Sequence, residues 1–458
     1  MLKFAIMNRR NKKVKRKLLT AALLLLPFSL TILAAGQDAG ELNLSLAEAQ
    51  EFAIRNNRTV TSARLDVSSS RMALWESISA GLPQVTTSAG FTDNLKQMVF
   101  LIPDFLGGDP DKKIPITMGS QYSSSVVLQA SMLLFNAPYI VGIETAKLAK
   151  KLSETNVEST ELDIREAVAS AYYLILISEE SLKILEDNLA NLRETLKSTR
   201  TMFSVGMAES TDVDQMESNV SMIENSKSSL ERTIELNYNL LRFQLGVESN
   251  SVINLTETLD DLTAKINVET LLAQEFNYTD NPGYKLIEGQ EQMSALNLKS
   301  QKAMILPTLS GIISTTKTGM GDKIPEIDWY NSSLVGFQLT IPIIASGQRY
   351  AKIRKAQINL EKARNTRDMV KEQLLIQERQ LRYNLVNANL QYKSQKNNVD
   401  VSRRVYANME NKYKQGMASS LDLTQAHSQF LQAENNYVSA LMNLMQIKLE
   451  LDKLLNNL

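Results

Sequence analysis

The sequence predicts a mainly α-helical protein with membrane β-strands, built from long antiparallel helices and four amphipathic strands in two internal repeats. Three observations carry that expectation. The motif Phe203-Ser-Val-Gly206-Met207-Ala208-Glu-Ser-Thr-Asp212 recurs 210 residues on as Tyr413-Lys-Gln-Gly416-Met417-Ala418-Ser-Ser-Leu-Asp422. Helical patterning runs unbroken for 68 residues from Ala137 to Ser204. Short stretches ahead of the long helices alternate polar and apolar residues, the period of a strand with two different faces.

In chain order, a targeting segment comes first. Residues 1–17 carry eight basic residues and no acid, Leu18–Leu33 is apolar, and Ala34-Ala35-Gly36 are small. A basic start, an apolar core and a small-residue cut make a secretory signal over residues 1–36; an uncleaved anchor helix is the alternative. Its removal takes eight of the 50 basic residues and leaves 42 against 50 acidic, a net charge of −8. That balance disfavours nucleic acid as a partner.

The first repeat runs from about residue 44 to 250, with a helix, a β-hairpin over 84–134, and long helices turning near Gly206. Residues 251–266 connect it to the second, over 267–458, with its hairpin at 308–345 and its turn near Gly416. Leu82-Pro83 and Leu306-Pro307 precede the strands in the two copies. In the first hairpin Val85, Thr87, Ala89 and Phe91 oppose Gln84, Thr86, Ser88 and Thr92. In its returning strand the even positions Tyr122, Val126, Leu128, Ala130, Met132 and Leu134 are mostly apolar. In the second hairpin Val335, Phe337, Leu339, Ile341 and Ile343 oppose Gln338 and Thr340. Alternation over about ten residues suits a tilted strand with lipid on one side and water on the other, and a half-buried strand in a soluble sheet has the same period. The aromatics Phe91, Tyr122, Phe135, Trp329 and Tyr330 lie near strand ends, where interfacial rings belong. Four strands cannot close a barrel, and an open edge cannot face lipid, so several chains must share one. Between the first two strands, Pro103–Asp111 is expected as a long turn-rich loop.

Continuous helix over 68 residues reaches ~100 Å at ~1.5 Å per residue. Leu182, Leu185, Leu189, Leu192 and Leu196 step by three and four, a coiled-coil seam; Asn384, Asn387, Asn389, Asn397 and Asn398 keep another face polar. The motif glycines Gly206 and Gly416 read as helix-ending turns, and Thr211-Asp212 and Ser420-Leu421-Asp422 as helix starts whose acids serve at least as caps.

Composition excludes several function classes. The chain has no cysteine and one histidine, His427. Disulfides, thiolate zinc sites, a cysteine nucleophile and a multi-histidine metal site are therefore impossible. No phosphate-binding glycine loop or nucleophile elbow is present. No enzyme activity, cofactor or metal is expected. His427, on a polar helix, is expected to be exposed, with pH sensing as the alternative. A periplasmic coiled-coil adaptor or structural protein is the rival to a channel; it explains the seam and not the paired strands.

Taken together, the duplicated Leu-Pro, the strand exits Leu134-Phe135-Asn136 and Ile343-Ile344-Ala345-Ser346-Gly347, and the turn pattern Phe203/Gly206/Asp212 and Tyr413/Gly416/Asp422 resemble the TolC family of outer-membrane efflux and secretion channels, over nearly the whole mature chain. The resemblance implies a homotrimer whose shared β-barrel sits in outer-membrane lipid and whose helices form an α-barrel tunnel through the periplasm of a Gram-negative-type bacterium. A mixed helix–strand belt near Asn250–Glu269 and the C-terminal residues would wrap its middle. It implies a periplasmic adaptor docking at the turns Gly206, Met207, Ala208 and Gly416, Met417, Ala418, and an inner-membrane transporter beyond. By the same resemblance Asp422 lines a constriction, and Asp212, Thr211 and Tyr413 hold the closed state against the neighbouring helix pair. The chain departs from the family's best-studied pattern at Ala418, where an arginine stands, and at Gln425, where a second aspartate can stand. A weakly latched gate is the expectation. Small-molecule efflux is the expected use, with type I protein secretion or metal efflux as alternatives.

Overall fold

The computed structural model describes residues 41–104, 109–324 and 326–458; the expected signal segment, residues 1–36, lies outside them. The first described element, strand β1 (Leu42–Leu44), leads into helix α1 (Leu46–Asn56) through a capping box between Ser45 and Glu48. Helix α2 (Arg58–Ser79) starts at Asn57, whose side chain accepts from the Thr59 and Val60 N–H groups. Then come β2 (Gln84–Asp93), β3 (Met98–Asp104), β4 (Asp109–Met118) and β5 (Tyr122–Phe135). Helix α3 (Ala137–Ser204) is continuous for 68 residues and α4 (Ser210–Leu245) returns along it for 36.

The second half begins with a belt of short elements, β6 (Ile253–Leu255), α5 (Leu259–Ala264) and α6 (Val268–Ala273). Helix α7 (Pro282–Ala303) leads to β7 (Thr308–Gly321) and β8 (Asp328–Thr340). Helix α8 (Gln348–Lys414) spans 67 residues, and α9 (Ser420–Leu454) packs back along it for 35. The principal helices thus come in near-equal lengths in the two halves.

The belt is tied on by specific bonds. Strand β6 pairs in parallel with β1. The buried Tyr172 hydroxyl donates to the Leu44 carbonyl at 3.1 Å, and burial pushes that phenol up to about 12. Arg382 on α8 donates to the carbonyls of Leu271 (3.2 Å), Leu272 (2.6 Å) and Gln274 (2.5 Å), covering the C-terminal end of α6. Behind these bonds, Ala49, Ala53, Val168, Tyr172, Ile175, Leu241, Leu245, Leu441 and Met445 form the core at belt level.

Strands β2, β5, β7 and β8 form one antiparallel sheet in that order. Its register lines up Val85, Ala130, Ile313 and Val335 in one row, and Thr86, Gln129, Ser314 and Leu334 in the next. Val85, Val335, Phe337 and Leu339 stand exposed on the apolar face, with no core beneath them. Among the described residues, the outer edges of β2 and β8 have no paired strand.

Two sequence expectations need correction. The stretch around Pro103–Asp111 is not simply a loop: β3 and β4 pair antiparallel from Met98↔Met118 to Pro103↔Lys113, making a separate two-stranded ribbon. β3 and β4 are thus strands beyond the four expected. Among the described residues no helix is long and apolar enough to cross a membrane, which has no bearing on a β-barrel.

Candidate functional site

The two long hairpins end in equivalent turns. At the first, the Gly206 N–H donates to Phe203 O (3.0 Å) and the Met207 N–H to Met202 O (2.8 Å). At the second, the Gly416 N–H reaches Tyr413 O (2.9 Å) and the Met417 N–H reaches Lys412 O (2.8 Å). This double bond pattern closes a helix C-terminus when the residue beyond it is left-handed. Gly206 and Gly416 have φ of +76° and +73°, a conformation that penalises any Cβ. Met207 and Met417 stand exposed at the tips, and Ala208 and Ala418 are half-buried.

The acids that follow sit at the third position of the returning helices. Asp422 accepts from the Ser419 N–H (3.1 Å) and hydroxyl (2.7 Å), while the Asp422 N–H donates back to Ser419 Oγ (3.2 Å). The Ser419 hydroxyl and N–H together hold the Asp422 carboxyl below the usual range, so it stays ionised. Asp422 is exposed. Asp212 accepts from the Glu209 N–H (2.9 Å) and also from the Ser420 hydroxyl of the other hairpin. The Thr211 hydroxyl donates to Glu209 Oε2 at 3.3 Å, inside its own turn.

Asp212–Ser420 is the first rung of a polar ladder joining the two hairpins of one chain. Next, Asn219 Nδ2 on α4 donates to Thr424 Oγ1 on α9 at 3.2 Å. The buried Tyr413 hydroxyl on α8 meets Thr199 Oγ1 on α3 at 2.8 Å. Higher up, Asn188 Nδ2 on α3 donates to Glu434 Oε2 on α9 at 3.1 Å. Between the rungs, Leu192, Leu196, Met216, Val220, Tyr406, Leu423 and Phe430 pack together from all four helices. Of the expected gate residues, Asp212 and Tyr413 thus bridge the helix pairs, whereas Thr211 and Asp422 bond within their own turns.

This seam also holds groups that the expectations above pass over. Glu434 is only 6% exposed, and its Oε1 has no partner. Burial raises its carboxyl to about 7; the Asn188 amide and Arg403 oppose the rise. The expectation of an exposed His427 is wrong: it is 4% exposed and packs against Tyr406 with ring centroids 5.1 Å apart. Its Nε2 and the Tyr406 hydroxyl are both without partners. Burial lowers His427 to about 4, against the pull of Glu410, and pushes the Tyr406 phenol up. His427 is therefore neutral at physiological pH. A signal for both lies in the spacing: Leu423, His427, Phe430, Glu434 and Leu441 step by three, four and seven, which places the histidine and the glutamate on the packed stripe of α9.

Paired helical hairpins far longer than a globular core needs, rooted in a sheet with one bare apolar face and two open edges, define a membrane-seated channel subunit. Comparison with known proteins gives the family. The model of the outer membrane efflux protein family matches residues 51–247 and 291–457, and the chain belongs to that family. The outer membrane efflux protein BepC of Brucella suis biovar 1 is 24% identical over 378 residues, 79% of this chain and 73% of that one. The proteases secretion protein PrtF of Dickeya chrysanthemi is 22% identical over 239 residues, 51% of each. The crystal structure of the outer membrane protein VceC from Vibrio cholerae superposes with a TM-score of 0.69 at 13% identity, covering 90% of this chain and 95% of that one. The protein is an outer-membrane efflux channel component reaching into the periplasm, and not an enzyme.

Proposed function

We propose that three copies of the chain share one outer-membrane β-barrel, four strands from each, continuous with a periplasmic tunnel of helices. The observation that carries this reading is the sheet β2-β5-β7-β8, with a bare apolar face and unpaired edges at β2 and β8. Lipid accepts the face and forbids the edges, and pairing β8 of one copy with β2 of the next satisfies both. The 68- and 67-residue helices then carry the tunnel ~100 Å into the periplasm. The turns at Gly206–Ala208 and Gly416–Ala418 end there, and their exposed methionines offer an adaptable apolar surface to a periplasmic adaptor joined to an inner-membrane pump. The exported cargo is small toxic molecules; the likeness to PrtF, named for protease secretion, keeps protein export as the second reading.

In the same reading the tips form the gate. Three ionised Asp422 side chains around the axis make an anionic ring that favours cations. The Asp212–Ser420 and Tyr413–Thr199 bonds hold the hairpins of each chain together. No arginine stands at Ala418 and no second acid at Gln425, so the ring is single and the latch between copies rests on neutral contacts.

The test is separation of inner and outer membranes, followed by gel electrophoresis of the outer fraction with and without boiling. A trimer-sized band that collapses on heating to a monomer without residues 1–36 is the expected result. A heat-insensitive monomer in the inner-membrane or soluble fraction would sink the shared barrel and the cleaved signal together.

A further inference from the structure

The ribbon β3–β4 has an unusual distribution of side chains. Strand residues alternate between faces, so Met98, Phe100 and Ile102 share one side with their cross-strand partners Met118, Ile116 and Ile114. All six are apolar. The opposite side carries Val99, Leu101 and Pro103 with Thr117, Pro115 and Lys113. On the all-apolar side Met98 is 67% exposed, Met118 58% and Phe100 45%; on the other side Val99 is 56% and Leu101 65% exposed, but Thr117 and Lys113 interrupt the apolar surface. A two-stranded ribbon is marginal in water, and a contiguous apolar face of this kind marks an interaction surface.

Lipid is a poor cover for it. Among the described residues each strand of the ribbon has one unpaired edge, and bare N–H and C=O groups are not tolerated in hydrocarbon. Protein is the remaining partner, and the root of the ribbon says which. The Asn94 N–H donates to Gln121 O at 2.7 Å and its side-chain amide to Ser120 O at 3.0 Å. Gln97 Nε2 and the Gln121 N–H both donate to Asp322 Oδ1, at 3.2 and 2.9 Å. These bonds pin the ribbon to the end of the sheet away from the helices. It springs from β2, an edge strand, the side on which another copy must pair.

We propose that the ribbons of the three copies turn their Met98/Phe100/Ile102 faces toward a common axis and pack there, forming an apolar collar over the outer mouth of the barrel. The proposal rests on the shared-barrel reading above. It makes the exit a narrow apolar passage, distinct from the anionic constriction at the periplasmic tips.

The chain has no native cysteine, so a single introduced cysteine can form a disulfide only between copies. Phe100→Cys and Met118→Cys probe the apolar face, and Leu101→Cys the opposite one. Outer membranes holding each full-length variant are treated with a copper–phenanthroline oxidant and run on non-reducing gels after boiling. The collar requires a strong dimer-mass band from both apolar-face variants and at least tenfold less from Leu101→Cys. Equal cross-linking from the two faces, or none, in a protein that still gives the unboiled trimer band overturns the collar and leaves the shared barrel standing. Loss of bimane fluorescence at position 100 on reconstitution with brominated lipid overturns it in favour of a membrane-lying ribbon. Absence of the trimer band from the parent protein removes the shared barrel, and the collar with it.

Discussion

Substituting Glu434→Gln should remove a pH dependence from the helical seam and leave its packing intact. Glu434 sits between α9 and α3, takes one bond from Asn188, and leaves Oε1 unpaired. Its carboxyl is raised from 4.5 to about 7, so the packed seam binds a proton that the separated helices release. The sign follows: below about pH 4.5 the group is neutral in either state, and the penalty grows as pH rises to about 7 and then holds. At about 1.4 kcal/mol per pH unit between the packed and free values, that penalty is about 3 kcal/mol per chain. His427 acts in the opposite sense. Its lowered value of about 4 means that packing is lost as pH falls below about 6.5 and the imidazole must charge. Both groups are neutral in the packed seam between about pH 4 and 7, where the seam is tightest. The assay is thermal melting of the full-length protein in detergent, followed by far-ultraviolet circular dichroism from pH 6 to 8.5. Over that range the growing Glu434 penalty and the fading His427 penalty oppose each other, so the wild-type midpoint should move little. Glu434→Gln keeps an acceptor for Asn188 and cannot ionise, so only the His427 term remains: its midpoint should rise between pH 6 and 7, then hold, and exceed wild type most at pH 8.5. Equal slopes in the two proteins would refute the reasoning.

Four further outcomes are expected. Tyr413→Phe removes the buried Thr199 bond and about 1 kcal/mol per chain; if that bond latches the hairpins, single-channel conductance in a planar bilayer rises. Asp422→Asn strips the charge from the proposed ring, and block of that conductance by a trivalent cation should then need at least tenfold more cation. Gly416→Ala meets no neighbouring atom but must hold φ +73°, costing about 1–2 kcal/mol. Faster amide exchange at Tyr413–Met417 should report that cost while the belt is unchanged. Phe337→Lys puts a charge on the bare face of the sheet, at about 2–4 kcal/mol near the bilayer midplane, and should deplete the heat-labile trimer band in the outer membrane.

What the sequence reveals and what it hides follow from how local each cause is. The long helices are legible because nothing in Ala137–Ser204 interrupts them, and the turns because Gly206 and Gly416 are the residues a left-handed position requires. The strands β2, β5, β7 and β8 are legible from a period of two. The ribbon is missed because residues 98–102 are apolar at every position and show no period of two. Pro103, Pro115 and the Gly/Asp-rich stretch between them argue for a loop, and a proline is compatible with a strand only at an edge, which a two-stranded ribbon supplies on both sides. His427 and Glu434 are missed for a different reason. Residue type argues for exposure, and only the three- and four-residue steps through Leu423, Phe430 and Leu441 argue against it. The burial of those two side chains is decided by four helices drawn from both halves of the chain, and no local window contains that. A buried polar residue on a packed stripe costs stability and selects one register over its neighbours. Asn188–Glu434 and Tyr413–Thr199 sit where the two hairpins must either stay aligned or separate. Residues that look misplaced by type, on a stripe that is otherwise apolar, are therefore where a gate in this fold should be sought first.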